Sequence, residues 1–410
     1  MNINELKRLF DDTAYIHRSG TEEEKRAAEY LRDRCEELGV KAWLEAFDVP
    51  MGEIESASLV ADGNDIPCKA LFCCGSGTVE GQLYYMPATD PVSIAGAKGK
   101  IVLMDGQGVD KFTYKELVRC GAKGLIFQAG NMYQGNEDIE LRDLRASAVG
   151  EEMKLLSVMV HSSRAVELVK SGCEKLSITV NQREYTGKSH NVVAELPGQR
   201  AEYITLTAHY DTTGLSQGAY DNMSGCAGLL AVMEALKNVE LNYGLRFVFC
   251  GSEERGLLGS KAYVAAHEEQ LESTVLNINL DMIGSIMGKF IACVSAEDKL
   301  SNYVSYMGAE LGFAVSSKCG VYSSDSTSFA DKGVPAISLA RIAGGNVAPI
   351  HCRFDTAELL SMPQLLKDIA FITEFTRRMA CAVICPVSRN IPDNIKKELD
   401  EYLFRKKKEQ

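Results

Sequence analysis

The segment LRFVFCGSEERGLLGS, residues 245–260, decides the class of fold and raises a question about chemistry. Its apolar first half is typical of a buried strand, yet the strand runs directly into two adjacent glutamates, Glu253 and Glu254. Neighbouring negative charges disfavour one another, and each prefers water to a place beside a core. The pair therefore indicates that a positively charged group lies at the end of this strand.

The chain around this segment alternates between apolar strands and helices. Strands are predicted at NVVAEL, YITLTAH, TVLNINLDM and PAISLA, and helices at SGCAGLLAVMEALKN and at residues 362–382. This alternation predicts an α/β fold, in which helices cover both faces of a mainly parallel mixed sheet. In such sheets ligands bind beyond the carboxyl ends of the strands.

The length of 410 residues predicts two domains. Thr21 and Glu24 form a predicted capping box that starts a helix, which ends at Gly39. Residues 51–185 have short strands, many glycines and no long helix, which predicts a smaller β-rich domain. We therefore divide the chain into an N-terminal part of the catalytic domain (1–50), the inserted domain (51–185), the catalytic domain (186–385) and a helical tail (386–410).

Charge and cysteine content exclude several classes of protein. The net charge is −12, which argues against nucleic acid or an anionic membrane as a partner. The only basic cluster, RKKK at residues 405–408, is interpreted as a solvated tail. Thirteen cysteines without a C-x-x-C pair argue against a cysteine zinc knuckle and predict free thiols. Without an apolar leader or membrane span, we expect a cytoplasmic protein, with a secreted mature form as the alternative.

Ionisable side chains follow the predicted strands of the second half, at the points where those strands end. The strand YITLTAH leads to His209 and Asp211, and TVLNINL leads to Asp281. Because the carboxyl ends of parallel strands share one edge of the sheet, these groups are expected to converge there. The same edge should receive four further groups: Asp221, Glu253, Glu254 and His351.

This set of imidazoles and carboxylates suits divalent metal ions, and zinc leads among them. A carboxylate can bridge two metals at roughly 3.5–4 Å separation. One of the adjacent glutamates can then bind metal while its neighbour remains free as a base. A cation thus answers the question raised by Glu253 and Glu254.

Several other polar residues lack such company. His17, His161, His190 and His267 stand apart from the strand-end set and are interpreted as structural or surface residues. Ser224 lies in DNMSGC, which is not a nucleophile elbow. A single Asp or His at a strand end is usually a helix cap or a satisfied surface group, so the joint placement carries the argument.

Taken together, HYDTTGLSQGAYDNMSGCAGLLAVMEAL, GSEERGLLGS, NLDMIG and HCRFDT resemble the co-catalytic dinuclear zinc aminopeptidases. That family includes aminopeptidase Y, the Vibrio-type leucine aminopeptidase and glutamate carboxypeptidase. The resemblance covers roughly residues 187–382 and the N-terminal helix. In addition, AKGKIVLMDGQG and KELVRCGAKGLIFQAG look like parts of a protease-associated (PA) domain, which some family members carry as an insertion.

The resemblance implies two metal ions, one ligand that they share and two further ligands for each ion. Asp221 would bridge the metals, and a cis peptide would join it to Asn222. One metal site would be completed by His209 and Asp281, and the other by Glu254 and His351.

The resemblance also implies two roles outside the ligand set. Glu253 would be the general base and later the general acid. Asp211 would lie behind His209 and fix the orientation of its imidazole. The chain departs from the family at SSDSTSF, where Ser326 stands in place of His or Tyr, so side-chain specificity cannot be carried over. Arg341 has two interpretations, contact with an acidic substrate or an ordinary salt bridge, and the second is favoured.

The implied reaction is the removal of N-terminal residues from peptides or small amides. A metal-bound hydroxide would attack the scissile carbonyl, and the metals would stabilise the oxyanion. The alternatives are a carboxypeptidase, another amidohydrolase or a glutaminyl cyclase, the last of which needs only one metal site. An inert binding module is a further alternative, although relatives of that kind have lost ligands and this chain has kept all five.

Overall fold

The computed structural model describes residues 1–133, 135 and 137–407. Two units can be distinguished: Met1–Asp48 with Lys188–Gln410, and Val49–Gly187. The predicted insertion, 51–185, begins and ends beside the same boundaries. The predicted tail belongs to the first unit, and Lys408, the last residue of the basic cluster, lies outside the described residues.

The α-helices of the described residues are numbered in chain order. They are α1 Ile3–Asp12, α2 Glu22–Glu37, α3 Pro91–Gly96, α4 Lys111–Cys120, α5 Ala146–Val149, α6 Ser162–Ser171, α7 Ser224–Leu236, α8 Leu258–Ala266, α9 Asp298–Leu311, α10 Ser326–Asp331, α11 Met362–Ala380 and α12 Asp393–Tyr402. A single π-helical turn, Ala219–Met223, precedes α7.

The strands follow the same scheme. They are β1 Ala42–Ala61, β2 Asn64–Ile66, β3 Lys69–Ala70, β4 Gly77–Gly81, β5 Leu83–Met86, β6 Ile101–Met104, β7 Gly124–Ala129, β8 Leu156–His161, β9 Leu176–Leu196, β10 Tyr203–His209, β11 Gly244–Cys250, β12 Thr274–Leu280, β13 Lys289–Ser295, β14 Ser316–Cys319 and β15 Ala336–Ile342.

The sheet of the first unit has the order β14-β13-β15-β12-β10-β11-β9-β1. Its central strands β11, β10, β12 and β15 are parallel neighbours. Strand β9 joins β11 in the antiparallel direction, and β13 joins β15 in the same way. The prediction of a mainly parallel mixed sheet is therefore confirmed, and the carboxyl ends of its central strands meet at one edge.

Helix α7 is the most completely apolar of the helices that pack in this unit's core, since its residues are apolar around most of its circumference. Eleven of its thirteen residues are buried, as expected for a helix packed on all sides. Helices α1, α2 and α11 contribute to the same apolar cluster. Among the described residues, no helix has both the length and the apolar character needed to cross a membrane.

The second unit contains a sheet of five strands, ordered β3-β8-β7-β6-β5, in which β5, β6, β7 and β8 are parallel. Its helices, α3 to α6, have ten residues or fewer. Helix α4 ends just before Gly121, whose φ of 86° is the left-handed conformation that glycine adopts without strain. The resemblance of this unit to a PA domain stays a prediction.

Candidate active site

Three parallel strands of the first unit deliver ionisable groups to one edge of the sheet. Strand β10 ends at His209, and β12 is followed at once by Asp281. Strand β11 ends at Cys250 and continues through a short turn to Glu253 and Glu254. The register of the parallel pairs fixes the proximity of these groups.

The first group of potential ligands consists of His209, Asp221 and Asp281, all buried. The Nε2 atom of His209 lies 3.0 Å from Oδ1 of Asp221 and 3.8 Å from Oδ1 of Asp281. Asp221 reaches this position because the π-helical turn before α7 places it at the strand edge, and the implied cis peptide between Asp221 and Asn222 is present.

The second group consists of Asp221, Glu254 and His351. The Nε2 atom of His351 lies 3.2 Å from Oδ2 of Asp221 and 3.1 Å from Oε1 of Glu254. Asp221 therefore directs one carboxylate oxygen to each group. All five predicted ligands are brought together, in the two sets that the family resemblance implied.

Asp211 contacts the glutamate turn more closely than it contacts His209. Its carboxylate accepts hydrogen bonds from the backbone N–H of Glu253 at 2.7 Å and of Glu254 at 3.2 Å. Its distance to Nδ1 of His209 is 3.6 Å, which is too long for a good hydrogen bond. The ring nitrogen instead lies 3.3 Å from the backbone carbonyl of Asp211. Asp211 thus holds the turn that carries both glutamates.

Two buried side chains to which the sequence analysis assigned no role, those of Asp355 and Asn222, hold Asp221 in place. Asp355 accepts hydrogen bonds from the backbone N–H groups of Tyr220, at 2.8 Å, and of Asp221, at 3.3 Å. The side-chain oxygen of Asn222 accepts from the N–H of Met282 at 3.0 Å, which ties this segment to the end of β12. Asp355 lies inside the quoted motif HCRFDT, so its position four residues after His351 was the available signal.

The electrostatics of the site are those of several carboxylates around two imidazoles. Burial lowers the pKa of His351, but the charges of Glu254 and Asp221 outweigh burial and raise that pKa to about 11. Burial likewise lowers the pKa of His209, but the charge of Glu253 and the neighbouring carboxylates outweigh burial and raise that pKa well above its ordinary value. Burial raises the pKa of Glu253 well above its ordinary value, with Glu254 adding to the rise.

The site residues fit a divalent cation. In each of the two potential ligand groups, the ligand atoms all lie within 4.8 Å of one another. Within the described residues, the buried Oδ1 of Asp281 has no hydrogen-bond donor. A buried carboxylate oxygen without a donor is costly unless a cation satisfies it. The donor set of imidazole and carboxylate is the one that zinc prefers after cysteine.

The remaining candidates lie in ordinary structural contacts. Arg341 forms a bidentate ion pair with Asp368, Nε–Oδ2 2.8 Å and Nη2–Oδ1 2.7 Å, so the favoured salt-bridge interpretation is confirmed. Ser326 is buried and its hydroxyl lies 2.7 Å from that of Ser338. The hydroxyl of Ser224 donates to the carbonyl of Tyr220 at 2.8 Å, inside the helix start.

The four other histidines are divided between core and surface contacts. His17 is fully buried, and its Nδ1 lies 2.6 Å from the carbonyl of Tyr15. His267 pairs with Glu45 at 2.9 Å, and His161 bonds Ser163 in the second unit. His190 is half-buried, and its backbone carbonyl accepts a hydrogen bond from the hydroxyl of Tyr210 at 2.7 Å. None of them belongs to the ligand groups found among the described residues.

Comparison with known families identifies this arrangement. Residues 191–375, which contain every ligand candidate, match the model of peptidase family M28. The chain carries a peptidase family M28 domain. The M28 domain accounts for the predicted resemblance to co-catalytic zinc aminopeptidases, which is confirmed together with the expectation of a metal-dependent peptidase.

Relatives of the M28 domain include curated and structurally characterised proteins. Aminopeptidase YwaD of Bacillus subtilis is 29% identical over 339 residues, covering 77% of this chain and 70% of YwaD. Leucine aminopeptidase 2 of Trichophyton rubrum is 32% identical over 200 residues, covering 47% of this chain and 38% of that protein.

Solved structures share the fold. A zinc aminopeptidase of Bacillus subtilis, BSAP, superposes with a TM-score of 0.76 at 22% identity, covering 96% of this chain and 97% of the other. An aminopeptidase of Aneurinibacillus sp. strain AM-1 superposes with a TM-score of 0.72 at 21% identity, covering 94% of each. At this level of identity the likeness establishes the fold alone.

Proposed function

We propose that the protein is an aminopeptidase that depends on two zinc ions. The observation that carries the proposal is that two groups of potential ligands share Asp221, which offers one oxygen to each. A carboxylate in this position can bridge two metal ions. The names of the relatives, aminopeptidase YwaD and zinc aminopeptidase BSAP, support both the reaction class and the metal.

In this proposal His209 and Asp281 would hold one ion, Glu254 and His351 would hold the other, and Asp221 would contribute to both. Bound zinc would polarise the scissile carbonyl and lower the pKa of bound water, which is the part of the chemistry that protein side chains do not supply. The protein residues contribute a fixed, mostly buried set of donors, so little reorganisation accompanies the reaction.

Glu253 is the proposed general base and acid. A base must be deprotonated to accept a proton and must have a pKa near the working pH to return it to the leaving amine. Burial, followed by the charge of Glu254, moves the pKa of Glu253 upward, in the direction that this function requires. Asp211 positions Glu253 by accepting its backbone N–H at 2.7 Å.

The proposed substrate is a peptide or small amide with a free amino terminus, and the proposed compartment is the cytoplasm. None of the thirteen cysteines, all of which lie within the described residues, forms a disulfide bond, and this supports a reducing environment. A carboxypeptidase or another amidohydrolase could use the same ligands, but the curated relatives described above are aminopeptidases.

The test is a substrate panel combined with metal analysis. The purified protein is assayed on aminoacyl-anilides, on the same anilides with a blocked amino group, and on carboxy-terminal substrates, with and without chelator and added zinc. The proposal expects about two zinc ions per chain and chelator-sensitive release of amine from unblocked anilides only. Cleavage of blocked or carboxy-terminal substrates instead would overturn the aminopeptidase assignment, and no zinc binding would overturn the metal centre.

A further inference from the structure

The turn after β11 is held by two buried carboxylates that capture three consecutive backbone amides. The N–H of Ser252 donates to Oε1 of Glu24 at 2.9 Å. The N–H groups of Glu253 and Glu254 donate to the two oxygens of Asp211 at 2.7 and 3.2 Å. Each amide of the turn that carries the proposed base and the neighbouring ligand is therefore fixed by an oxygen of a buried carboxyl group.

Glu24 comes from the first turn of α2, far away in sequence, and is 1% exposed. Its Oε1 also accepts hydrogen bonds from the hydroxyls of Ser252 at 3.1 Å and Ser189 at 2.8 Å. Its Oε2 accepts from the N–H of Gly20 at 2.6 Å. Four donors therefore fix the carboxylate in one orientation, because a carboxylate can accept from all of them at once.

These contacts differ from the predicted capping box. A capping-box glutamate returns its side chain to the backbone N–H of the N-cap residue, here Thr21. The hydroxyl of Thr21 does accept from the N–H of Glu24 at 3.3 Å. The carboxylate of Glu24, however, reaches Gly20 and the turn at Ser252 instead. A role in starting α2 therefore leaves the contact with Ser252 unexplained.

The geometry of Ser252 makes this contact consequential. Its φ of 56° is left-handed, which a residue with a side chain adopts only when its surroundings hold it there. The preceding Gly251 is packed closely, since a Cβ atom there would meet Oγ of Ser189 at 2.6 Å. A change of backbone angle at Ser252 would rotate the chain that follows, and with it the side chains of Glu253 and Glu254.

We propose that Glu24 is a positioning residue for the active site: it fixes the backbone of Ser252 and so directs Glu254 toward the metal and Glu253 toward the substrate. The part that concerns Glu253 rests on the proposed function. The part that concerns Glu254 rests only on the zinc site of that proposal, and it can be tested separately because the binding of zinc can be measured without turnover.

The experiment compares Glu24→Ala and Glu24→Gln with Glu23→Gln, an exposed glutamate in the same turn of α2. Zinc affinity is measured by chelator competition, and kcat and KM are measured on the best anilide, per bound zinc. Glu24→Ala should weaken one of the two zinc sites about 10- to 100-fold. It should also lower kcat about 10- to 100-fold, with KM within about twofold of the wild type. Glu23→Gln should leave all three quantities unchanged.

Glu24→Gln provides the graded variant, and it carries the test if Glu24→Ala does not fold. Its amide oxygen can still accept from Ser252, but its amide nitrogen then faces the N–H of Gly20, donor against donor. Zinc affinity and kcat should fall about three- to tenfold, between the wild type and Glu24→Ala.

Two results would be contrary to this proposal. The first is a folded Glu24→Ala protein whose zinc affinity and kcat stay within about twofold of the wild type while only its thermal midpoint falls, which would make Glu24 a purely structural residue. The second, if Glu24→Ala does not fold, is a Glu24→Gln protein within about twofold of the wild type in both quantities. A wild type that binds zinc but cleaves no substrate would instead refute the proposed function, and the zinc measurements would still decide the role of Glu24.

Discussion

The two units of the chain contain parallel sheets whose strands end in Asp and His, yet the two sets of side chains have different partners. In the second unit, Asp105 follows β6 and accepts a hydrogen bond from the side chain of Gln128 at 2.9 Å. His161 ends β8 and bonds the hydroxyl of Ser163 at 2.8 Å. Both residues are satisfied by neutral groups of the protein.

The strand ends of the first unit present the opposite case. His209 lies between carboxylates, and the pKa values of both site histidines rise because negative charge outweighs burial. Asp281 keeps a buried oxygen without a donor in the described structure. The comparison teaches that an Asp or His at a strand end does not define a site; an excess of buried acceptors over donors does.

The largest effect is expected from Asp221→Asn, which removes the charge of the shared ligand. The loss of this one charge weakens both ligand groups, so zinc content should fall from about two ions to less than one per chain and turnover should be lost. Asp105→Asn in the second unit is the matched control and should leave zinc content and kcat unchanged. If both variants bound zinc equally well, the contrast between the two sheets would have no functional meaning.

Glu253→Gln should separate catalysis from metal binding. The amide keeps the size of the side chain but cannot accept a proton, so kcat should fall about 10²- to 10⁴-fold. Zinc content should remain that of the wild type, because Glu253 belongs to neither ligand group. Elemental analysis and kinetics on the same preparation check both statements. A variant that kept wild-type kcat would exclude Glu253 as the base.

Protons should compete with zinc for the ligands at the edge of the first unit's sheet. His351 has a pKa of about 11 in the metal-free protein, raised from 6.5, so near neutral pH its imidazole is protonated. Zinc requires the neutral imidazole, so binding should release about one proton at this group, and zinc affinity should fall as the pH falls. Calorimetry in buffers of different ionisation enthalpy measures the release. His351→Gln should reduce it and His267→Gln should not; equal release from both would contradict the assignment.

Much of the fold was predictable because it depends on local patterns. Apolar strands alternating with helices predicted the mainly parallel sheet. The candidate ligands could be named because their residue types recur directly after consecutive strands, and parallel topology then brings them to one edge. Strands β13 and β14 were not predicted, since KFIACVS and SSKC lack a distinctive alternation.

The supporting contacts were not predictable in the same way, because they join residues far apart in the chain. Glu24 was assigned to a local capping box, whereas its carboxylate bonds Ser252, 228 residues away. Asp211 was expected behind His209, and its carboxylate lies 3.6 Å from Nδ1 of that ring, but its hydrogen bonds with two backbone amides of the glutamate turn were not predicted. A pattern in sequence gives the residue type that chemistry needs, but it does not say which of several buried donors a carboxylate will accept from.

The smallest expected effect concerns Asp355, which supports Asp221 without entering either ligand group. In Asp355→Asn one of the donors around the side chain, the N–H of Tyr220 or of Asp221, would face the new amide nitrogen instead of an oxygen. Leaving a buried donor unsatisfied should cost about 1–3 kcal/mol in the free energy of unfolding, measured by chemical denaturation of the zinc-free protein.

A second aspartate, which belongs to neither ligand group, serves as the control for Asp355 and shows how a structural ion pair alone affects the free energy of unfolding. Asp331 pairs with Arg405 at the surface, so Asp331→Asn should change the free energy of unfolding by about 0–1 kcal/mol and leave zinc affinity unchanged. Asp355→Asn should instead also weaken zinc, about tenfold, because the backbone it holds carries the shared ligand. Equal effects of the two variants on zinc affinity would mean that Asp221 keeps its place without Asp355, and that the ligand residues alone determine how tightly zinc is bound.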